Sequence, residues 1–222
     1  MKISYNWLKR YIPNVPEAKK LADLLTYHLA EVESLEKVKM REKEDWIFDI
    51  KILPNRAHDL LSHQGVAQEV ASLLDIKFID STPKYKIPES KPTNLKIEIK
   101  TDKCRRYMGR IVRGIKVGPS PDWVVKHLES IGQRSINNIV DMANLVMFDC
   151  GQPAHVFDLD KLSDEKIIIR MANKGERITL LTGEEKELSE TNMIIADEKN
   201  VLGVAGIKGG KIPEVDNNTQ NI

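Results

Sequence analysis

The densest group of polar side chains with chemical potential lies between residues 134 and 158. Arg134 comes first, a stretch with helical spacing carries Asp141 and Asn144, and a Gly-Gln-Pro loop then leads to His155. Asp141 and Asn144 are three residues apart, so they share one face of a helix. Such groups cost free energy when buried unless they are hydrogen-bonded. Spacing alone is also typical of a solvated helix with a structural histidine, so a site and a surface helix both remain open.

Two familiar kinds of site do not fit the sequence. Residues 203–211 are glycine-rich, but Ala205 stands where a phosphate-binding loop needs its first glycine, and Ile212 stands where it needs Ser or Thr. Four glycines in eight residues instead predict a close approach of this backbone to another strand or to a ligand. No histidine or cysteine pair has the spacing of a metal site, and we expect none.

Charge is balanced overall but uneven along the chain. The 222 residues include 34 Lys and Arg against 33 Asp and Glu, which argues against a globally basic nucleic-acid binder. Residues 96–116, however, hold eight basic side chains and only two acidic ones. Phosphate backbones attract such clusters, although a solvated pair of strands would show the same pattern.

The elements that must position these residues follow from periodicity and capping. We predict a short helix capped by Ser4, and helices over 16–30, over 62–74 with Ser62 as cap, from Ser120 onward with Pro121 in its first turn, and over 138–149 up to Gly151. Residues 36–45 are charged and indicate a solvated connection. The polar tail 216–222 suggests no element.

Alternating and apolar runs predict the strands. These cover 46–53, 95–100, 106–115, 166–170, a hairpin over 177–188 turning near Thr182, 192–196 and 201–206. Residues 81–94 contain three prolines and read as a linker. Strands and helices mix without regular βαβ alternation, so the predicted class is α+β.

Five blocks of sequence follow one another in an order that indicates a known family. They are MKISYNWLKRYIP at the N-terminus, LPNRAHDLLSHQGVAQEVA at 53–71, RYMGRIVRGI at 106–115, RSINNIVDMANLVMFDCGQPAHVFDLD at 134–160 and IADEKNVLGVAGIKGG at 195–210. In this order they resemble the beta subunit of bacterial phenylalanine–tRNA ligases, and the resemblance covers nearly the whole chain.

The resemblance implies a domain organisation. Residues 1–80 correspond to a small helical N-terminal domain, in which the short stretch 38–45 replaces the family's inserted oligonucleotide-binding-fold module. Residues 81–94 are the linker. Residues 95–222 correspond to a mixed α/β editing domain that is incomplete at its C-terminus. In that family the editing domain hydrolyses tyrosine wrongly attached to phenylalanine tRNA. Editing is needed because an apolar pocket discriminates against a substrate with an added hydroxyl by a factor of only about 10².

The resemblance also implies roles for individual residues. His155 and Asn144 position the ester and the attacking water, and Arg134 helps to hold the tRNA end. The aminoacyl pocket is shaped by Pro153, Gly206 and Gly209. The basic residues that could contact the tRNA backbone are Lys103, Arg105, Arg106, Arg110 and Arg113.

One expected residue is missing. The acidic side chain that recognises the tyrosine hydroxyl would come shortly after residues 219–221, but the sequence ends at Ile222. We therefore expect this chain by itself neither to ligate phenylalanine nor to edit efficiently.

The implied partners are phenylalanine tRNA and the ligase alpha subunit, in a heterotetramer of two alpha and two beta subunits. ATP and Mg²⁺ serve the whole enzyme, and we expect no cofactor in this chain. Without a signal peptide or an apolar run of about 18 residues, a cytoplasmic protein away from membranes is expected. Two alternatives remain: a stand-alone trans-editing hydrolase and a non-catalytic tRNA-binding or assembly module.

Overall fold

Two compact units make up the chain. The computed structural model describes residues 1–40, 43–80 and 91–222. The first unit contains residues 1–86 and 119–154, and the second contains 87–118 and 155–222. This division differs from the predicted domains 1–80 and 95–222, because the core of the first unit includes Val124, Leu128 and Leu145. Most of the predicted linker, and residues 41–42 of the stretch expected in place of the insert, lie outside the described residues.

A three-stranded antiparallel sheet forms one layer of the first unit. Its strands are β1 (Lys2–Ser4), β2 (Val32–Met40) and β3 (Lys43–Ile50), in the order β1-β3-β2. The prediction of a solvated connection over 36–45 is therefore wrong, since residues 36–40 and 43–45 belong to the paired strands β2 and β3. Backbone pairing needs no apolar side chains, and an edge strand tolerates charges such as Lys37, which pairs with Glu44 across the hairpin at 2.7 Å.

Helices supply the rest of the first unit. They are α1 (Tyr5–Leu8), α2 (Ala18–His28), α3 (Ala57–Leu60), α4 (His63–Leu74), α5 (Asp122–Ser130) and α6 (Asn138–Cys150), with a 3₁₀ turn over Pro54–Arg56. Two predicted caps are confirmed: Ser4 accepts a hydrogen bond from the Trp7 amide and Ser62 from the Gly65 amide. Ser120 as cap of α5 is wrong, because Pro121 takes the cap position and the Ser120 hydroxyl donates to Asp141.

A histidine lies at the centre of the first unit's core. His63 is fully buried and stacks on Trp7 with 3.9 Å between ring centroids. The Ser4 amide donates to His63 Nε2 at 3.0 Å, so the proton must be on Nδ1, which then donates to the Phe148 carbonyl at 2.8 Å. Burial lowers the pKa of His63 to about 3. His63 is therefore held neutral, as one tautomer, by two backbone groups.

This burial predicts acid sensitivity. His63 is protonated near pH 6.5 in the unfolded chain but only near pH 3 in the folded chain. Its contribution to the free energy of unfolding is therefore fully present above pH 6.5 and is lost as the pH falls toward 3. We expect His63 to cost roughly 3 kcal/mol of unfolding free energy between pH 7 and pH 4.5. Urea unfolding across this range measures the loss. H63Q, whose amide can also donate and accept, should be less stable at pH 7 but have a flatter pH dependence, and equal slopes would contradict the assignment.

The second unit is built on a five-stranded sheet. Its strands are β4 (Lys96–Ile99), β5 (Lys166–Met171), β8 (Met193–Ala196), β9 (Val201–Val204) and β10 (Lys208–Gly209), in the order β10-β9-β8-β5-β4. Strands β4 and β5 run parallel and the other pairs are antiparallel. A separate hairpin joins β6 (Arg177–Thr179) to β7 (Glu185–Glu187), and 3₁₀ turns cover Leu159–Lys161 and Ser163–Glu165. The predicted α+β class is confirmed.

The strand expected over 106–115 is absent from the described structure. In this segment the Met108 and Val112 side chains are exposed, and Gly109 packs on the Leu95 and Ile97 side chains. The alternating apolar residues therefore do not line a buried face of a sheet. Instead Val112 and Ile222 exchange backbone hydrogen bonds of 2.8 and 2.9 Å. The polar tail thus packs on this segment, contrary to the expectation that it joins no element. Among the described residues, no helix is long and apolar enough to span a membrane.

Candidate functional site

The predicted site residues are divided between the two units. Arg134, Asn144 and Pro153 belong to the first unit, whereas His155, Gly206 and Gly209 belong to the second.

His155 and Gly209 are in direct contact in the second unit. A Cβ atom built on Gly209 would lie 2.5 Å from His155 Cε1 and 2.7 Å from Nε2, and 3.1 Å from Leu181 Cδ1. Real Cβ atoms do not approach other atoms this closely, so only glycine leaves room for the imidazole in this orientation. The ring also packs against Phe157 in a T-shaped arrangement, with 4.7 Å between centroids.

This environment keeps the imidazole neutral. Partial burial lowers the pKa of His155 below its ordinary value, because the packed ring loses water that would solvate its charged form. No hydrogen bond to the ring comes from any residue that the structure describes. The residue is still exposed to solvent overall. A neutral, accessible imidazole with a free lone pair is suited to act as a general base near pH 7.

The other glycines of the segment serve the backbone. Gly203 and Gly210 lie against strand backbone, since added Cβ atoms would be 3.3 Å from the Lys208 carbonyl oxygen and 2.8 Å from that of Leu202. Gly206 has a φ of +72°, which favours glycine, and a Cβ there would meet nothing within 4 Å. Of the close approaches that the sequence predicts, Gly203 and Gly210 therefore lie against strand backbone, and Gly209 lies against the His155 side chain.

Phe157 contacts this histidine, Leu181 lies against Gly209, and neither was singled out from the sequence. Phe157 had a usable signal, because residues two apart in extended chain point to the same side. Leu181 had none, since its approach depends on the turn after β6.

The first unit holds a buried carboxylate, Asp141, between Arg134 and Asn144 in the sequence. Asp141 is fully buried and accepts hydrogen bonds from the Ser120 and Ser135 hydroxyls and the Ile136 amide. Arg134 is exposed on the segment between α5 and α6, Asn144 is half-buried on α6, and Pro153 is exposed. Of the two polar residues predicted on one face of this helix, Asp141 is therefore held by buried hydrogen bonds, whereas the Asn144 side chain remains partly accessible to solvent.

The basic cluster is an irregular, exposed segment of the second unit. Lys103, Arg105, Arg106 and Arg110 are exposed, and none forms an ion pair with any residue in the described parts of the chain. Arg113 differs, because it pairs with Glu165 at 3.0 Å. Four of the five candidate cations are therefore free to meet phosphates.

A cavity of about 240 Å³ also lies in the second unit, but it does not include His155 or Gly209. It is lined by residues of the β6–β7 hairpin and the β8–β9 turn, among them Arg177, Glu185 and Lys199. Within the described residues, no group of three His, Cys, Asp or Glu side chains could hold a metal ion.

The chain is similar to known proteins along most of its length. Residues 103–222 match the family model described as the B3/4 domain. The chain is similar to the phenylalanine–tRNA ligase beta subunit of Carboxydothermus hydrogenoformans, with 42% identity over 191 residues, covering 86% of this chain and 23% of the relative. It is similar to that of Rhodopirellula baltica, with 35% identity over 227 residues, covering 100% of this chain and 32% of the relative.

A solved structure is also similar to this chain. It is an N-terminal fragment of the phenylalanyl-tRNA synthetase beta subunit from Pyrococcus horikoshii, with 20% identity and a TM-score of 0.47, covering 100% of this chain and 65% of the fragment. The chain spans between a fifth and a third of the length of the curated relatives it matches.

Proposed function

Because the chain belongs to the B3/4 domain family and its resemblance to bacterial phenylalanine–tRNA ligase beta subunits is confirmed, we propose that it carries a site that hydrolyses tyrosine wrongly attached to phenylalanine tRNA. The observation that carries the proposal is the contact of Gly209 with His155. The lack of a side chain at residue 209 leaves room for the His155 ring in this orientation, which supports a role for the position of the ring.

The proposed chemistry is ester hydrolysis. The His155 imidazole takes a proton from a water molecule as the water oxygen attacks the ester carbonyl carbon. The bond to the ribose oxygen then breaks, that oxygen takes up a proton, and free tyrosine and tRNA leave. In this proposal Asn144 helps to place the ester and the water, Arg134 holds the tRNA end, and Pro153, Gly206 and Gly209 shape the aminoacyl pocket.

We expect the chain by itself to be a slow hydrolase. A positioned general base contributes about 10²–10⁴-fold, and a base works best when a hydrogen-bond partner orients it. Among the described residues His155 has no such partner, so the lower end of this range applies.

Single-turnover hydrolysis tests this function. With the protein in excess over tyrosyl-tRNA, we expect loss of the ester about 10²-fold faster than in buffer, and H155A should return the rate to that of buffer. H28A is a matched control, because His28 ends helix α2 of the first unit. Equal rates for the wild type and H155A would refute a role of His155 in hydrolysis, and rates of an efficient editing enzyme would refute the slow-hydrolase expectation.

Attachment of phenylalanine is proposed only for the whole ligase. The chain would then contribute to a cytoplasmic heterotetramer of two alpha and two beta subunits, and ATP and Mg²⁺ would be used by the complete enzyme. The names of the relatives support this assignment. A stand-alone trans-editing hydrolase is the alternative within the same chemistry.

A second candidate function is tRNA binding without catalysis, which the four unpaired cations of residues 103–110 favour. Each phosphate neutralised adds about −0.7 to −0.9 to the slope of log affinity against log salt. Filter binding should therefore give a slope of about −3 for four contacts, and reversing the charges of Arg105 and Arg106 should bring the slope closer to zero by about 1.5. The same reversal at the exposed Lys19 and Lys20 of α2 is the control, and a slope near zero in the wild type would refute the interface.

A further inference from the structure

The segment that carries Arg134 has no regular structure but is anchored at both ends. Helix α5 ends through hydrogen bonds of the Gly132 amide to the Glu129 carbonyl and of the Gln133 amide to the Leu128 carbonyl, both 2.9 Å. Gly132 adopts a φ of +77° there, which turns the chain away from the helix. At the other end, Asn137 caps α6 by accepting from the Ile139 and Val140 amides.

Asp141 holds the middle of this segment. Its Oδ1 accepts from the Ile136 amide at 2.8 Å, and its Oδ2 accepts from the Ser135 hydroxyl at 2.6 Å. The same Oδ2 accepts from Ser120, before α5, at 2.5 Å. The carboxylate is fully buried, and its partners in the described structure are neutral donors. Such a group is costly to bury unless its acceptors are satisfied, so these contacts are strongly maintained.

Arg134 adjoins the hydrogen-bond network of Asp141 in the sequence. Arg134 directly precedes Ser135 and Ile136, two of the three residues that donate to Asp141, yet its own guanidinium is exposed and has no partner in the described structure. A fixed backbone beneath a free cation lowers the entropy cost of binding an anion, since only the side chain has to be ordered.

We propose that Asp141 is a positioning residue that fixes residues 135–136 and thereby presents Arg134 to a phosphate at the aminoacylated end of the tRNA. This inference rests on the proposed function, because it deepens the role that Arg134 has there. It assigns to Asp141 an effect on tRNA affinity that acts through Arg134.

The two serines provide a matched pair for the test. S135A removes the hydrogen bond on the Arg134 side of the carboxylate, and S120A removes an equivalent bond to the same oxygen from the other side. Both should lower the urea midpoint to a similar extent. Binding of a phenylalanine tRNA transcript to the full chain should be weakened about tenfold by R134A, about fivefold by S135A and not measurably by S120A.

Coupling separates positioning from a structural role. In the R134A background, S135A should weaken tRNA binding no further, because its effect passes through the missing guanidinium. Amide exchange over residues 133–136 should accelerate in S135A but not in S120A. Equal affinity losses in the two serine variants, or a loss by S135A that persists in the R134A background, would overturn the inference.

The outcomes also separate this inference from the proposed hydrolysis. If H155A hydrolyses as fast as the wild type while R134A and S135A remain coupled in tRNA binding, the hydrolytic function fails and the positioning role stands. If R134A binds tRNA as tightly as the wild type, the positioning role is overturned whatever the hydrolysis rates are.

Discussion

Replacing Gly65 by alanine is expected to destabilise the first unit by about 3 kcal/mol or more, although alanine is the better helix former. Gly65 lies in the first turn of α4, where a Cβ atom would be 1.7 Å from the Asp59 carbonyl oxygen and 2.9 Å from the Asp59 carbonyl carbon. Both atoms are backbone, so α3 or α4 must move. Helix propensity would by itself stabilise the variant by about 1 kcal/mol, so the sign of the change decides which effect dominates.

Urea unfolding followed by tryptophan fluorescence measures the G65A effect, since Trp7, Trp46 and Trp123 all belong to the first unit. Q68A is the matched control, because it introduces alanine at an exposed position of the same helix. We expect the free energy of unfolding of Q68A to stay within about 0.5 kcal/mol of the wild type. A G65A variant as stable as the wild type would mean that α3 and α4 are not held at this distance.

Local rules predicted the elements whose ends are set by nearby residues. Ser4 and Ser62 cap their helices as expected, and Gly151 ends α6 with a φ of +79°. In each case the deciding interaction spans a few residues, so it can be read from the sequence. The parallel strand β4 and the β6–β7 hairpin were likewise visible from alternation and turn residues.

Local rules failed where a distant partner decides. Ser120 has the type and position of a cap, but Asp141, 21 residues later, takes its hydroxyl. Residues 36–45 lack an apolar face, yet 36–40 and 43–45 pair as parts of β2 and β3. Residues 112–115 pair with the tail about 110 residues further along, which no periodicity reveals. The first and third errors share one cause: hydrogen-bond partners far apart in sequence outweigh local preference.

The candidate site shows the same limit. The resemblance proposed His155 and Gly209 as members of one site, but it gave no distance between residues 54 positions apart. Only the fold shows that Gly209 lies against the imidazole, whereas Gly206 is a backbone requirement. The contact between Gly209 and His155 can therefore be tested by itself.

Replacing Gly209 by alanine is expected to reduce hydrolysis of tyrosyl-tRNA about as much as H155A does, by about 10²-fold. The new methyl group would overlap the imidazole, 2.5 Å from Cε1 and 2.7 Å from Nε2, and the ring is the part that can rotate away. Stability should therefore change little while the base leaves its position. Single-turnover hydrolysis and urea unfolding of the same sample measure both effects.

A second measurement identifies the cause of the G209A effect. The pKa of His155 is lowered by its packed environment, so a ring displaced into water should titrate closer to 6.5 in an NMR pH titration of G209A. G118A is the matched control, because it adds a methyl group to the same unit where nothing lies within 4 Å. Its hydrolysis rate and the His155 titration should equal those of the wild type. Loss of hydrolysis in G209A with an unchanged His155 titration would show that the methyl group blocks the ester rather than displacing the base, and an unchanged hydrolysis rate in G209A would remove the contact from the mechanism.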